Sequence, residues 1–152
     1  MCNLYHNDSK WSKWKSFNEL DSDSNSDLKQ FGLYRVRSAV NGIPNPIRRF
    51  FKDDDHGLIL IGLCGKGCKD NSIENLYKRL LEFWKKVNNG GHGHSEGKRF
   101  NDYNYIKKID IKSLEYSIIS FSRTEVGEKE KELLHQYNLE FLDMPLLNRN
   151  IG

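Results

Sequence analysis

"GLILIGL", residues 57–63, is a continuous apolar run bounded by the charged "KDDDH" before it and by the glycine-broken "CGKG" after it. Seven apolar residues without polar alternation have strand length. They predict a strand buried on both faces. Working outward, "GLYRVRS", residues 32–38, predicts an earlier strand, with Tyr34 and Val36 on one face and Leu33, Arg35 and Arg37 on the other. Between them lies a long loop, residues 39–55, that holds two of the three prolines. Leu76, Leu80, Trp84 and Val87 recur at helical spacing and predict a helix over about 72–87, stopped by "NNGGHGH". Residues 98–112 alternate basic and aromatic and stay ambiguous between helix, strand and loop. "EYSIISF", residues 115–121, predicts a third strand, and "VGEKEKELLHQYN", residues 126–138, a closing helix.

The chain has 152 residues, the length of one domain. Charged residues make up 30% and hydrophobic ones 37%, and no apolar run approaches the ~20 residues that span a bilayer. The N-terminus lacks an apolar signal core. Three cysteines, Cys2, Cys64 and Cys68, do not form a disulfide framework, so an intracellular, cytoplasmic setting is expected. Residues 1–30 are predicted as an amphipathic helix carrying Trp11, Trp14 and Phe17, then a flexible acidic linker, "DSDSNSD" at 21–27. The domain proper is predicted over 31–152.

The formal charge of +3 decides little, but its distribution says more. Ten basic residues stand against five acidic ones between Lys66 and Lys108, interleaved with Tyr77, Trp84, Phe100, Tyr103 and Tyr105. Such interleaving suits either a polyanion-binding face or a solvated helix over ordinary core aromatics.

Three residues are unusual for their positions. Glu130 shares a helix face with Val126, Leu133, Leu134 and Tyr137. A carboxylate there needs a partner: a salt bridge to Arg79 or a lysine, a bound metal, or an acid–base role. Arg79 borders the apolar stripe of its own helix, where it either snorkels or clamps a phosphate with its planar fork. Tyr34 is either a core residue or a base that needs help at neutral pH. Cys64 and Cys68 with His92 and His94 offer sulfur and nitrogen ligands for Zn²⁺, but a His-x-His pair is too close for the usual structural pattern.

The order Gly32-Leu33-Tyr34, Leu60-Ile61-Gly62, "NLYKRL", a glutamate helix and "MPLLN" resembles the GIY-YIG nuclease superfamily. The resemblance extends over roughly residues 31–150, and its long insert and "GGHGHSEGKRF" are similar to a bacterial and archaeal subgroup. It implies an α/β (α+β) fold with a small, mainly antiparallel three-stranded central sheet flanked by helices. It further implies a metal-dependent DNA endonuclease that uses one Mg²⁺ or Mn²⁺ ion. Arg79 takes the place of the family arginine, Glu130 that of the metal-binding glutamate, and Asn148 that of the terminal asparagine, which tethers the glutamate helix and the chain end. Tyr34, Arg79 and Glu130 are expected to converge on one concave surface. The second triplet departs from the family, with Leu60 in place of a tyrosine whose hydroxyl lies near the attacking water or the phosphate. Lys66, Lys69, Tyr77 and His94 are the candidates to replace it. Phe83 stands where many members have histidine, a role His94 fills in this reading. The catalytic set is therefore Tyr34, Arg79, Glu130, Lys66 and His94. The nucleic-acid contacts are Lys69, Lys78, Lys86, Lys98, Arg99 and Asn148. A nucleic-acid-binding module with weakened catalysis and a protein–protein adaptor are the alternatives.

Overall fold

All three predicted strands form. The computed structural model of the chain describes residues 5–65, 74–90, 94–103 and 108–149. In chain order the strands are β1 (Lys15–Ser16), β2 (Gly32–Val40), β3 (Ile43–Pro44), β4 (Leu58–Cys64) and β5 (Leu114–Ser120). The α-helices are α1 (Leu76–Asn89), α2 (Ser95–Tyr103) and α3 (Val126–Phe141). The fold is mixed α+β, built on one antiparallel sheet.

β2 is the central strand. It pairs with β5 along one side and with β4 along the other, and its end turns back into β3. β1 adds to the outer side of β5. The sheet is thus five-stranded rather than three-stranded. The two additional strands are two residues each, too short to leave an apolar period in the sequence. Side-chain alternation along β2 then divides the core. Tyr34, Val36, Leu60, Tyr116 and Ile118 pack with Leu76, Leu80 and Phe83 of α1 and Phe100 of α2. Leu33, Ile61 and Ile119 pack with Val126, Leu133 and Leu134 of α3. Each face is covered by helix, which is why β4 is apolar throughout.

The N-terminal segment departs from its prediction. Trp11, Trp14 and Phe17 do not lie on an α-helix: residues 15–16 are strand and Phe17–Ser22 is a 3₁₀ helix with a Ser16–Glu19 capping box. Nor is "DSDSNSD" free. Asp23 accepts hydrogen bonds from Lys15 Nζ and Tyr116 Oη, both at 2.6 Å, and Asn25 caps the 3₁₀ helix Ser26–Lys29. Phe17 stacks on Trp84 at 5.1 Å, and Phe17, Leu20 and Leu28 are buried in the α1 face. On the other face, the guanidinium of Arg35 lies between the rings of Trp11 (4.4 Å) and Trp14 (4.5 Å). Residues 5–30 are therefore part of the same core as the body.

The long loop between β3 and β4 is closed by a two-residue bridge, Ile47 with Asp54. Asp54 is fully buried and accepts hydrogen bonds from Tyr5 Oη, Tyr137 Oη and the backbone amides of His56 and Leu58. Four donors satisfy one carboxylate, which makes its burial tolerable. No helix among the described residues is long and apolar enough to cross a membrane.

Candidate active site

Tyr34 stands directly opposite Gly62 in the β2–β4 register. Its ring runs across β4, so that a Cβ on Gly62 would lie 2.3 Å from Cζ and 2.4 Å from the hydroxyl oxygen. Only glycine leaves that path open. The tyrosine of the first triplet and the glycine of the second are thus one packing unit.

The hydroxyl ends between two groups. His94 Nε2 lies 3.0 Å away, and the positive charge of the Arg79 guanidinium acts on it. Arg79 is delivered by α1, whose N-terminus is capped by the Asn75 side chain accepting from the Lys78 amide at 2.9 Å. His94 precedes α2, and α2 sits tightly on α1. A Cβ on Gly97 would be 2.8 Å from the Phe83 carbonyl oxygen. That approach brings the His94 ring edge-on to Phe83 at 5.5 Å. Behind His94 stands Glu96, with Oε2 at 3.0 Å from Nδ1. Arg79 and Arg99 reach Glu96 at 3.9 and 3.5 Å.

Burial pushes the Tyr34 hydroxyl well above the ordinary phenol range. Arg79 opposes that shift, and the charges of Glu96 and Glu130 add to it. Tyr34 alone is therefore a weaker acid than a free tyrosine. For Glu96, burial acts upward but is outweighed by the close approach of His94, Nδ1 lying 3.0 Å from Oε2, and the carboxyl is held at about 2. Glu130 is half-buried in the early turns of α3. That helix packs on the opposite face of the sheet from α1, yet the Glu130 charge is near enough to disfavour ionisation of Tyr34. Arg79, Glu82, Lys86, His94 and Ser95 line an open cleft of about 330 Å³.

The remaining predicted residues divide clearly. Leu60 is fully buried among Val36 and α1 residues, with no solvent above it. Of the four candidates to replace its missing hydroxyl, His94 is at Tyr34. Tyr77 points elsewhere and donates to Asp21 at 2.8 Å. Lys66 and Lys69 lie outside the described residues, as do Cys68 and His92 of the zinc alternative. Lys78 and Lys86 are partly exposed on α1. Lys98 is exposed and paired with Asp102 at 2.6 Å. Arg99 is turned inward and donates through Nε and Nη2 to the Leu147 carbonyl. Asn148 is also committed to the fold. Its Oδ1 accepts from the Ile61 amide at 3.0 Å, and its Nδ2 donates to the Ile61 carbonyl at 2.7 Å. It pairs with the outer edge of β4 as a neighbouring strand would, which tethers the chain end to the sheet and occupies both ends of its amide.

Glu96 is the site residue that the sequence reading missed. Its spacing from His94, two residues across a helix start, carries no signal of its own. No group of three or more His, Cys, Asp or Glu that could hold a metal ion occurs among the described residues. No family model, curated protein or solved structure matches this chain.

Proposed function

We propose that this chain is a metal-dependent DNA endonuclease of the GIY-YIG type, with β2, β4 and β5 as its family sheet. The observation that carries the proposal is the Tyr34 hydroxyl, buried over Gly62 and hydrogen-bonded to His94 under the charge of Arg79. His94 and Arg79 both line an open cleft, so the buried hydroxyl ends beside a cation, an imidazole and solvent-accessible space.

Arg79 and Arg99 already offset Glu82 and Glu96, at 3.5–3.9 Å, and Glu130 on α3 is the carboxylate this reading assigns to a divalent cation. Glu130 offers one carboxylate, which suits Mg²⁺, an ion that takes one or two carboxylates and keeps several waters. Bound there, it would supply charge stabilisation at the scissile phosphate and its leaving oxygen.

The chain's own residues do the rest. Tyr34 takes a proton from the attacking water and passes its own to His94. The water oxygen bonds to phosphorus as the bond to the leaving oxygen breaks, giving a phosphomonoester and an alkoxide that takes a proton from solvent in the cleft. Because the phenol is hard to ionise where it sits, the two proton movements are coupled and phenolate does not accumulate. Arg79 donates to the phosphate oxygens as their charge grows.

A catalytically weakened nucleic-acid-binding module is the second reading, favoured by Leu60, which supplies no hydroxyl and is sealed in the core. Incubation of supercoiled plasmid with the protein and Mg²⁺ or Mn²⁺ separates the two. Nicking that EDTA abolishes supports the endonuclease. Binding with a steep salt dependence but no cleavage supports the module. Neither binding nor cleavage leaves the adaptor reading.

A further inference from the structure

We infer that Glu96 is a positioning residue that holds His94 with its proton on Nδ1, so that Nε2 is the acceptor for the Tyr34 proton. The inference deepens the endonuclease reading and rests on it for its chemical consequence, but not for its geometry.

Two contacts compete for His94 Nδ1. The Gly97 amide approaches at 3.4 Å and would donate to an unprotonated nitrogen. Glu96 Oε2 approaches at 3.0 Å and would accept from a protonated one. The first is neutral and at the long limit of hydrogen bonding. The second is charge-assisted, and a charged acceptor makes roughly twice as strong a bond as a neutral one. Glu96 is ionised at neutral pH independently of His94, because Arg79 and Arg99 stand 3.9 and 3.5 Å from its oxygens. The Oε2 contact is off the ideal line, and that oxygen is buried with no aligned hydrogen bond. It therefore keeps its full demand for a donor, and Nδ1–H is the nearest one described.

Tyr34 agrees from the other end. Its own proton is buried and needs an acceptor. With Nδ1 protonated, Nε2 presents a lone pair at 3.0 Å. With the opposite tautomer, Nε2–H would donate to the tyrosine oxygen and the hydroxyl proton would lose that acceptor.

The chain is then Glu96 carboxylate, His94 imidazole, Tyr34 hydroxyl. During reaction the Tyr34 O–H bond breaks, an Nε2–H bond forms, and water gives a proton to the tyrosine oxygen. The resulting imidazolium faces Glu96. Its proton returns to solvent through the open cleft after the product leaves. A carboxylate that orients and stabilises an imidazole in this way works without being protonated itself.

The test begins with the His94 tautomer, read by two-dimensional ¹H–¹⁵N NMR of the imidazoles of the whole chain, with His94→Gln to assign the signal. A protonated Nδ1 and an unprotonated Nε2 are expected in the metal-free protein. The opposite tautomer overturns the inference, whether or not the protein cuts DNA. Glu96→Gln follows, since it keeps the shape and removes the charge. It should shift the His94 population toward a protonated Nε2. It should also lower plasmid cleavage with Mg²⁺ about 10–100-fold, the usual cost of losing an outer partner of a functional histidine. DNA affinity should stay the same or tighten, because a negative charge leaves the neighbourhood of Arg79. A Glu96→Gln protein with an unaltered His94 spectrum and the wild-type rate overturns the inference. Should the wild type show the expected tautomer and the Glu96→Gln shift yet never cut DNA, the endonuclease reading fails and the positioning of His94 by Glu96 stands.

Discussion

The hydroxyl end of Tyr34 lies over Gly62, so close that a methyl group on Gly62 would fall 2.3 Å from the ring's Cζ. β2 and β4 pair these residues across the sheet, and the missing side chain of one makes room for the other. The consequence is a polar atom carried from the middle of the central strand to the cleft beside α1.

Gly62→Ala therefore tests the site through packing alone. The methyl group must push Tyr34 off its path, and overpacking of this kind costs about 1–3 kcal/mol. Urea titration should show that loss. Cleavage should fall further than the melt accounts for, because Tyr34 loses its place between Arg79 and His94. In a double-mutant cycle with Tyr34→Ala the two stability losses should be strongly non-additive, since removing the ring removes the clash. Additive losses would mean that the two residues do not share this space.

Asn148→Ala should weaken the fold and leave nucleic-acid binding alone. The amide makes two hydrogen bonds to Ile61, and losing them strands backbone groups on the β4 edge, at about 1–3 kcal/mol. Asn148→Asp should be no better, because a carboxylate cannot donate to the Ile61 carbonyl. DNA affinity at fixed salt should not change in a folded Asn148→Ala protein. A weaker affinity there would assign Asn148 to a phosphate contact instead.

A chain that starts at residue 31 should not fold cooperatively. It would lack β1, the stack of Phe17 on Trp84, and the Trp11–Arg35–Trp14 sandwich. It would also leave Tyr116 without Asp23. Circular dichroism on heating should show a broad, non-sigmoidal loss in place of a transition. A sharp melt near that of the full chain would restore the view of residues 1–30 as a separate preface.

That segment also shows where sequence legibility ended. β4 was readable as an unbroken apolar run, β2 and β5 as strand-length stretches with Tyr34 and Val36 and with Ile118 and Ile119 among polar residues, and the α1 and α3 stripes because they are periodic. Trp11, Trp14 and Phe17 also repeat at three-residue spacing, but here the spacing comes from extended chain and 3₁₀ turns that place aromatics against Arg35 and Trp84. Periodicity alone cannot distinguish these cases. "DSDSNSD" reads as a linker by composition, yet Asp23 and Asn25 are there to accept specific hydrogen bonds. At the site, Tyr34 and Arg79 were legible as misplaced polar groups. Glu96 was not, because its role depends on α2 packing against α1 through Gly97 and Phe83, a contact that leaves no local pattern.

Acid should loosen the site in a way that Glu96 sets. Its folded pKa, about 2, is below its ordinary value of 4.5. A depressed carboxylate contributes stability that is complete above the unfolded value and lost as pH falls through the folded one. The wild-type melting temperature should therefore fall between about pH 4.5 and 2, and Glu96→Gln should show a smaller drop across that window. Equal drops in both proteins would remove Glu96 as a source of acid sensitivity.

Glu130→Gln separates binding from chemistry. The substitution keeps the volume and removes the charge that a divalent cation requires. Metal-dependent cleavage should fall by about 10²–10³-fold or more, the scale on which one preorganised charge-stabilising group acts. DNA affinity at fixed salt should stay the same or tighten, because a negative charge leaves the phosphate site. Arg79→Ala should lose both, since its guanidinium serves the bound phosphate as well as the transition state. Arg79 also carries ion pairs to Glu82 and Glu96, so its variant needs a melting curve beside the assay. The glutamine variant is cleaner, and it has a second readout. Tyr34 loses a nearby negative charge that holds its ionisation up, so its ultraviolet titration should move toward lower pH. A Glu130→Gln protein that folds, binds and cuts at the wild-type rate would remove this helix from the active site, and with it the reason to look for a metal there.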